Sequence, residues 1–235
     1  MVEKEKNKKL IEENIMPILP VSNLVMLPGV RVPILIIEEK YKKMVFDTVS
    51  SSGFVGIFSV KQSFFRQRER ELKAQDFFPI GCAGKIVSFS EAMREGYSVL
   101  IEGIFRVKLV EVIQDEPYDK VKFEILPDIL PPEDEQERLK SAIIEKAVLF
   151  LRKIGEDPAR IRDIVQFASA MRFEEVVNWA VFLHPLKFNT KLSLLEENRV
   201  EERAKKLIEE IKRDVLYLDL LEVFRPLKPK DPRVN

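Results

Sequence analysis

With a single cysteine, Cys82, the 235-residue chain has no partner for an internal disulfide, and cysteine usage of this kind fits a reducing compartment, which makes the cytoplasm the expected location. One cysteine and one histidine, His184, also fall short of the several soft or imidazole ligands that a zinc site requires, so no metal is expected. Charge of one sign is missing too. Lys plus Arg and Asp plus Glu both number 39, whereas a dedicated nucleic-acid binder carries a basic excess. No long apolar run exists: Val32 to Ile37 is far short of the roughly 20 residues needed to cross a bilayer, and Pro33 interrupts it. The first fifteen residues alternate charges without the apolar stretch of a secretory signal, and residues 1–15 read as a solvated tail or a short helix.

What is present suffices for a core, since 46% of the residues are hydrophobic. Residues 16–130 are short β-branched and aromatic runs punctuated by Gly and Pro, predicting strands near 17–21, 31–37, 54–60, 80–90, 97–103, 104–114 and 118–127. One helix interrupts them at 38–50. There Tyr41, Met44, Val45 and Val49 recur at helical spacing, while Lys40, Lys42, Lys43 and Asp47 fall elsewhere and Gly53 follows as a stop. Lys85 to Phe89 and Tyr97 to Ile101, joined around Glu95-Gly96, read as a hairpin. The run Phe105, Val107, Leu109, then Val110, Val112 switches phase once, as a bulge produces.

Residues 131–137, with Pro131, Pro132 and clustered acids, read as a linker, and residues 138–225 read as a helical bundle. Helices are predicted at 142–154, ended by Gly155, and after Asp157-Pro158, an N-cap with proline at the first position. Others follow at 173–183, stopped by His184-Pro185, and at about 190–197. The longest begins after Asn198 and ends near Phe224, and residues 226–235 form a proline-rich tail. The architecture expected is α+β: a β-rich unit followed by an all-α bundle.

Several phrases in this order resemble one family. Leu19-Pro20-Val21 followed by Leu27-Pro28-Gly29-Val30-Arg31-Val32-Pro33-Ile34, then Ile80-Gly81-Cys82-Ala83-Gly84-Lys85-Ile86-Val87, are similar to the opening and central strands of the Lon protease N-terminal domain. Val99 to Val107 ahead of Glu116-Pro117-Tyr118, and later Leu183-His184-Pro185-Leu186-Lys187, Lys191 to Glu196 and Val200-Glu201-Glu202-Arg203, resemble its hairpin and helical bundle. The match runs over most of residues 17–223. It implies a PUA-like β subdomain, a curved sheet or pseudo-barrel with one helix, followed by a bundle, used in the full protease to recognise unfolded or damaged polypeptide.

The motor and peptidase are not carried over. A P-loop needs a glycine five positions before its Gly-Lys pair and Ser or Thr after it, but Pro79 precedes Gly84-Lys85 and Ile86 follows. No cofactor and no catalysis are therefore expected. Cys82 and His184 do not read as nucleophile and base, since one lies in an apolar strand and the other ends a helix in the other half.

The segment Lys61 to Gln75 places Phe64 and Phe65 among Arg66, Arg68, Arg70 and Lys73. One reading is an apolar groove lined by Phe64, Phe65, Phe77 and Phe78 that takes extended polypeptide through pockets or strand addition. A second is RNA, with the aromatics stacking bases and Arg66, Arg68, Arg70 and Lys73 holding phosphates, and the plainest is a long solvated loop or short helix joining two strands, with Phe64 and Phe65 docked into the barrel. The polypeptide reading is preferred. It makes the chain a non-catalytic module, an adaptor for a separate protease or a holding factor working beside a chaperone; a structural subunit of a larger assembly is the remaining alternative, and self-association through the last helix stays open.

Overall fold

A computed structural model describes residues 14–61, 72–92 and 96–224. It is mixed α+β, with six strands and six helices among these residues. Chain contacts divide it into two units, one running to Asp128 and including Lys187–Asn198, the other formed by Ile129–Leu186 and the chain from Arg199 onward.

The first unit holds β1 (Ile15–Val21), β2 (Arg31–Ile36), α1 (Glu39–Ser50), β3 (Phe54–Ser59), β4 (Ile80–Ala92), β5 (Gly96–Ile113) and β6 (Lys120–Leu126). The strand order is β2-β5-β4-β3-β1-β6, and β6 pairs back onto β5, so five strands close into a barrel with β2 outside the ring. Closure depends on the length of β5. Its first half pairs with β2 from Tyr97 to Glu102, and its second half pairs with β6 from Arg106 to Ile113. The two strands expected at 97–103 and 104–114 are thus one strand, which bends without breaking.

Bulges produce the bend, since an extra residue on one strand raises the local twist. Register shifts fall between Ala83 and Gly84 and between Ile86 and Ser88 in the β4–β5 pairing. Another falls between Leu109 and Glu111, leaving Val110 as the phase switch that the sequence predicts. Gly103 sits at the first bend, exchanging backbone hydrogen bonds with Gly29 (2.8 Å) and Val30 (2.9 Å). A Cβ there would overlap the Leu27 carbonyl, so only glycine allows that approach.

Alternate residues of the five ring strands fill the barrel: Met16 and Ile18, Phe54 and Phe58, Ala83, Val107 and Leu109, Val121 and Phe123 are all buried. Cys82, on the opposite side of β4 from Ala83, is wholly buried, and burial pushes its thiol up to about 12. Burial therefore keeps Cys82 in its thiol form and away from solvent.

Arg106 of β5 is the largest fully buried side chain of the unit, at 1% exposure. Its Nε donates to Asp128 Oδ1 (2.8 Å), Nη1 to the Leu195 carbonyl (2.9 Å) and Nη2 to the Pro127 carbonyl (3.2 Å). Leu195 belongs to α5 (Phe188–Glu196), which the sequence assigns to the bundle. Instead α5 packs on β4, and the buried guanidinium explains why: one carbonyl of α5 is among its acceptors.

The second unit contains α2 (Glu133–Lys153), α3 (Pro158–Ala170), α4 (Phe173–Leu183) and α6 (Val200–Phe224). The stretch expected as an acidic linker is largely helix. Pro132 is the N-cap of α2 and Glu133, Asp134 and Glu135 form its first turn, where carboxylates meet the positive end of the helix dipole. Gly155, at φ +82, ends α2 with paired bonds from Gly155 N to Arg152 O and Glu156 N to Leu151 O. Asp157 Oδ1 caps α3 by accepting from Ala159 N (2.6 Å). The core includes Ile143, Val177, Val181, Ala204, Leu207 and Ile211, with Arg203 buried among them and donating to Asn178 Oδ1 (2.7 Å). His184 closes α4, its Nε2 2.8 Å from Asp214 Oδ2 and its ring 4.6 Å from that of Phe150.

Three expectations follow. Arg106→Met strands a carboxylate and two carbonyls, and should lower unfolding free energy by about 3 kcal/mol or more in urea titrations followed by circular dichroism. Gly103→Ala forces backbone against backbone and should lower the melting temperature more than Gly155→Ala, which meets open space and carries only backbone strain on the order of 1 kcal/mol. Alkylation of Cys82 at neutral pH, followed by mass spectrometry, should be negligible in the folded chain and rapid in denaturant; rapid labelling of the folded chain would contradict the burial.

Candidate functional site

Of the aromatic residues singled out from the sequence, Phe64 and Phe65 lie outside the described residues, as do Arg66, Arg68 and Arg70. Phe77 is not available as a groove residue. It is 1% exposed and packs edge-on against Phe58 (6.3 Å between centroids) inside the barrel, held by a bridge to Val60. The reason is register: a residue paired into the sheet must put its side chain on one face, and this face is the core. Phe78, next along, is half-buried, with its ring 5.6 Å from Phe188 and the Lys61 ammonium 5.9 Å from its centroid. Lys73 is exposed and opens a short 3-10 turn, its backbone N–H donating to Asp76 Oδ2 (2.9 Å). The structure therefore brings Phe78 and Lys73 to the surface near the same connection and removes Phe77.

Strand addition meets an obstacle. β2 has one neighbour, β5, so its other side is a free edge among the described residues. Since Gly103 N bonds Val30 O, alternation of the ladder places Val32, Ile34 and Ile36 in hydrogen-bonded pairs, and turns the backbone of Pro33 outward. Proline has no N–H to offer there, which interrupts any added strand at its middle.

A cleft absent from the sequence reading lies instead between α1 and the β4–β5 hairpin, with a volume of about 620 Å³. That is within the size range of ligand clefts. Phe46 of α1 and Tyr97 of β5 make its aromatic part, and Phe89 of β4 backs both rings, with centroids 5.3, 5.5 and 6.0 Å apart, each pair edge to face. Phe46 stays 45% exposed. Lys42 reaches Glu39 Oε1 (2.7 Å) and stands 5.9 Å from the Tyr97 centroid. Asp47 accepts from the Tyr118 hydroxyl (3.1 Å), and burial together with this carboxylate pushes the phenol up to about 12.

The sequence held a signal for this cleft. Phe46 falls off the buried stripe of its helix, and Phe89 and Tyr97 are diagonal neighbours across the hairpin, given that Phe89 pairs with Val99 and Glu91 with Tyr97. A large aromatic outside the core stripe of an amphipathic helix is the informative kind of exposure. Among the described residues no three His, Cys, Asp or Glu side chains gather as metal ligands, and no helix is long and apolar enough to cross a membrane. Cys82 and His184 belong to different units.

Comparison with solved structures identifies the fold. The N-terminal domain of a Lon protease from the Mycobacterium avium complex aligns with a TM-score of 0.66 at 18% identity, covering 84% of this chain and 98% of that one. A Lon N-terminal domain protein from Xanthomonas campestris gives 0.58 at 16% identity, with 83% and 97% covered. In sequence, the Lon protease of Cytophaga hutchinsonii is 26% identical over 219 residues, and that of Halothermothrix orenii 27% over 220. These alignments take in 92% and 93% of this chain but 26% and 27% of the relatives, so the chain spans about a quarter of their length. The family model of the ATP-dependent protease La (LON) substrate-binding domain matches residues 15–213, and the chain belongs to that family.

Proposed function

We propose that the chain is a non-catalytic module that binds unfolded or partly folded polypeptide and hands it to a separate protease or chaperone, or holds it. The observation that carries this reading is the family match over residues 15–213, whose description names a substrate-binding domain. Lon proteases act on proteins, as their name says, so polypeptide is the ligand chemistry that the match favours. The charge balance agrees, since 39 basic and 39 acidic residues give no general attraction for phosphate. Phe78 is half-buried on the barrel unit, and the sequence offers Phe64 and Phe65 as further apolar anchors of the proposed contact.

The test is titration of the full chain with a reduced, denatured model protein and with its native form. Binding to the denatured form should persist between about 50 and 200 mM salt, because burial of apolar surface is not screened whereas phosphate contacts weaken steeply over that range. Phe64→Ser with Phe65→Ser should weaken it at least tenfold, or about 1.4 kcal/mol, with the melting temperature checked for each variant. Arg66, Arg68 and Arg70 replaced by Gln should change it little. Loss of binding in the arginine variant, with RNA as an effective competitor, would replace the polypeptide reading by a nucleic-acid one.

A further inference from the structure

Resting on the polypeptide reading, we infer that the cleft between α1 and the β4–β5 hairpin is a second seat for that polypeptide, selecting a bulky apolar side chain flanked by Lys or Arg.

Rigidity is the first ground. Phe46, Phe89 and Tyr97 hold one another edge to face at 5.3 to 6.0 Å, so the rings are fixed before any ligand arrives. An aromatic that is 45% exposed yet locked by two neighbours loses little freedom when covered, which is the property of an interface anchor. The opening, about 620 Å³, takes a side chain and its flanking backbone.

Charge is the second. Three carboxylates, Glu39, Asp47 and Glu91, stand around the opening against two ammonium groups, Lys42 and Lys43. Lys42 is neutralised by Glu39 at 2.7 Å. Asp47 is engaged by a neutral hydroxyl, which leaves its charge in place. Glu91, exposed on the hairpin wall, adds a further negative charge opposite α1. Ring faces already attract one cation here, as the Lys42 ammonium lies 5.9 Å from the Tyr97 centroid. With Lys42 set against Glu39 and Lys43 against one further carboxylate, the margin keeps a single net negative charge, which beside the aromatic rings favours an apolar residue with a basic neighbour over one with an acidic neighbour.

The experiment uses the full chain and two fluorescent extended peptides that share a central Phe, one flanked by Lys and the other by Glu at the same positions. The wild-type chain should bind the Lys peptide at least tenfold tighter, and Phe46→Ser should remove most of that binding at an unchanged melting temperature. Because Phe46→Ser can also loosen α1, Glu91→Lys is the second variant: exposed and without a buried contact, it should weaken the Lys peptide and strengthen the Glu peptide. Equal affinity of the wild-type chain for the two peptides, or a preference untouched by Glu91→Lys, would overturn the inference. So would displacement of the Lys peptide by single-stranded RNA, or sedimentation of the chain as a dimer that Glu91→Lys dissociates. If denatured protein still binds while the cleft variants behave as wild type, this inference falls and the polypeptide reading stands; if denatured protein does not bind at all, that reading falls first.

Discussion

A guanidinium out of reach of water must satisfy its donors locally, and Arg106 does so with Asp128 and the carbonyls of Pro127 and Leu195. This requirement organises the first unit. Asp128 and Pro127 follow β6, and Leu195 sits in α5, nearly ninety residues further along the chain than Arg106. Drawing those acceptors to the middle of β5 fixes where β6 ends and where α5 docks. Removing the guanidinium alone leaves a carboxylate and two carbonyls without the donor that gathers them, so the buried charge holds both the stability of the unit and the position of α5.

The second constraint is the length of β5. A strand of 18 residues cannot stay flat while one half closes a ring and the other half carries β2 beyond it. The bulges at 83–84, 86–88 and 109–111 spread the required bend over three places, and Gly103 lets the strand press against residues 27–30 at the crossing. The projecting arm made by this bend is what places Phe89 and Tyr97 under α1. Without it the three rings would not meet, and the cleft is a consequence of how the barrel is closed.

Much of this was legible locally. The hairpin, the phase switch at Val110, the Asp157-Pro158 start and the His184-Pro185 stop depend on neighbours in sequence, and the structure places each where the pattern puts it. The misreadings share a different cause. That β6 reaches both β1 and β5, that α5 leaves the bundle and that Phe77 points inward are all long-range facts, decided by which surface is available once the ring closes. The acidic run at 133–137 misled for a related reason, because carboxylates that repel in an extended chain are stabilised in the first turn of a helix. The cleft escaped because its rings come from a helix and two strands, and only the long-range packing of α1 over the hairpin brings them together.

The free edge and the cleft then stand in an informative relation. An exposed edge strand binds any extended backbone, including another copy of itself, and Pro33 at the centre of β2 suppresses that non-selective mode. In the proposed reading, recognition on the arm is left to side chains, where a fixed aromatic cluster and an uneven margin of charge would discriminate between segments that share the same backbone. A module of the proposed kind, accepting many sequences without pairing with its own edge, needs both features: a blocked backbone route and an open side-chain one.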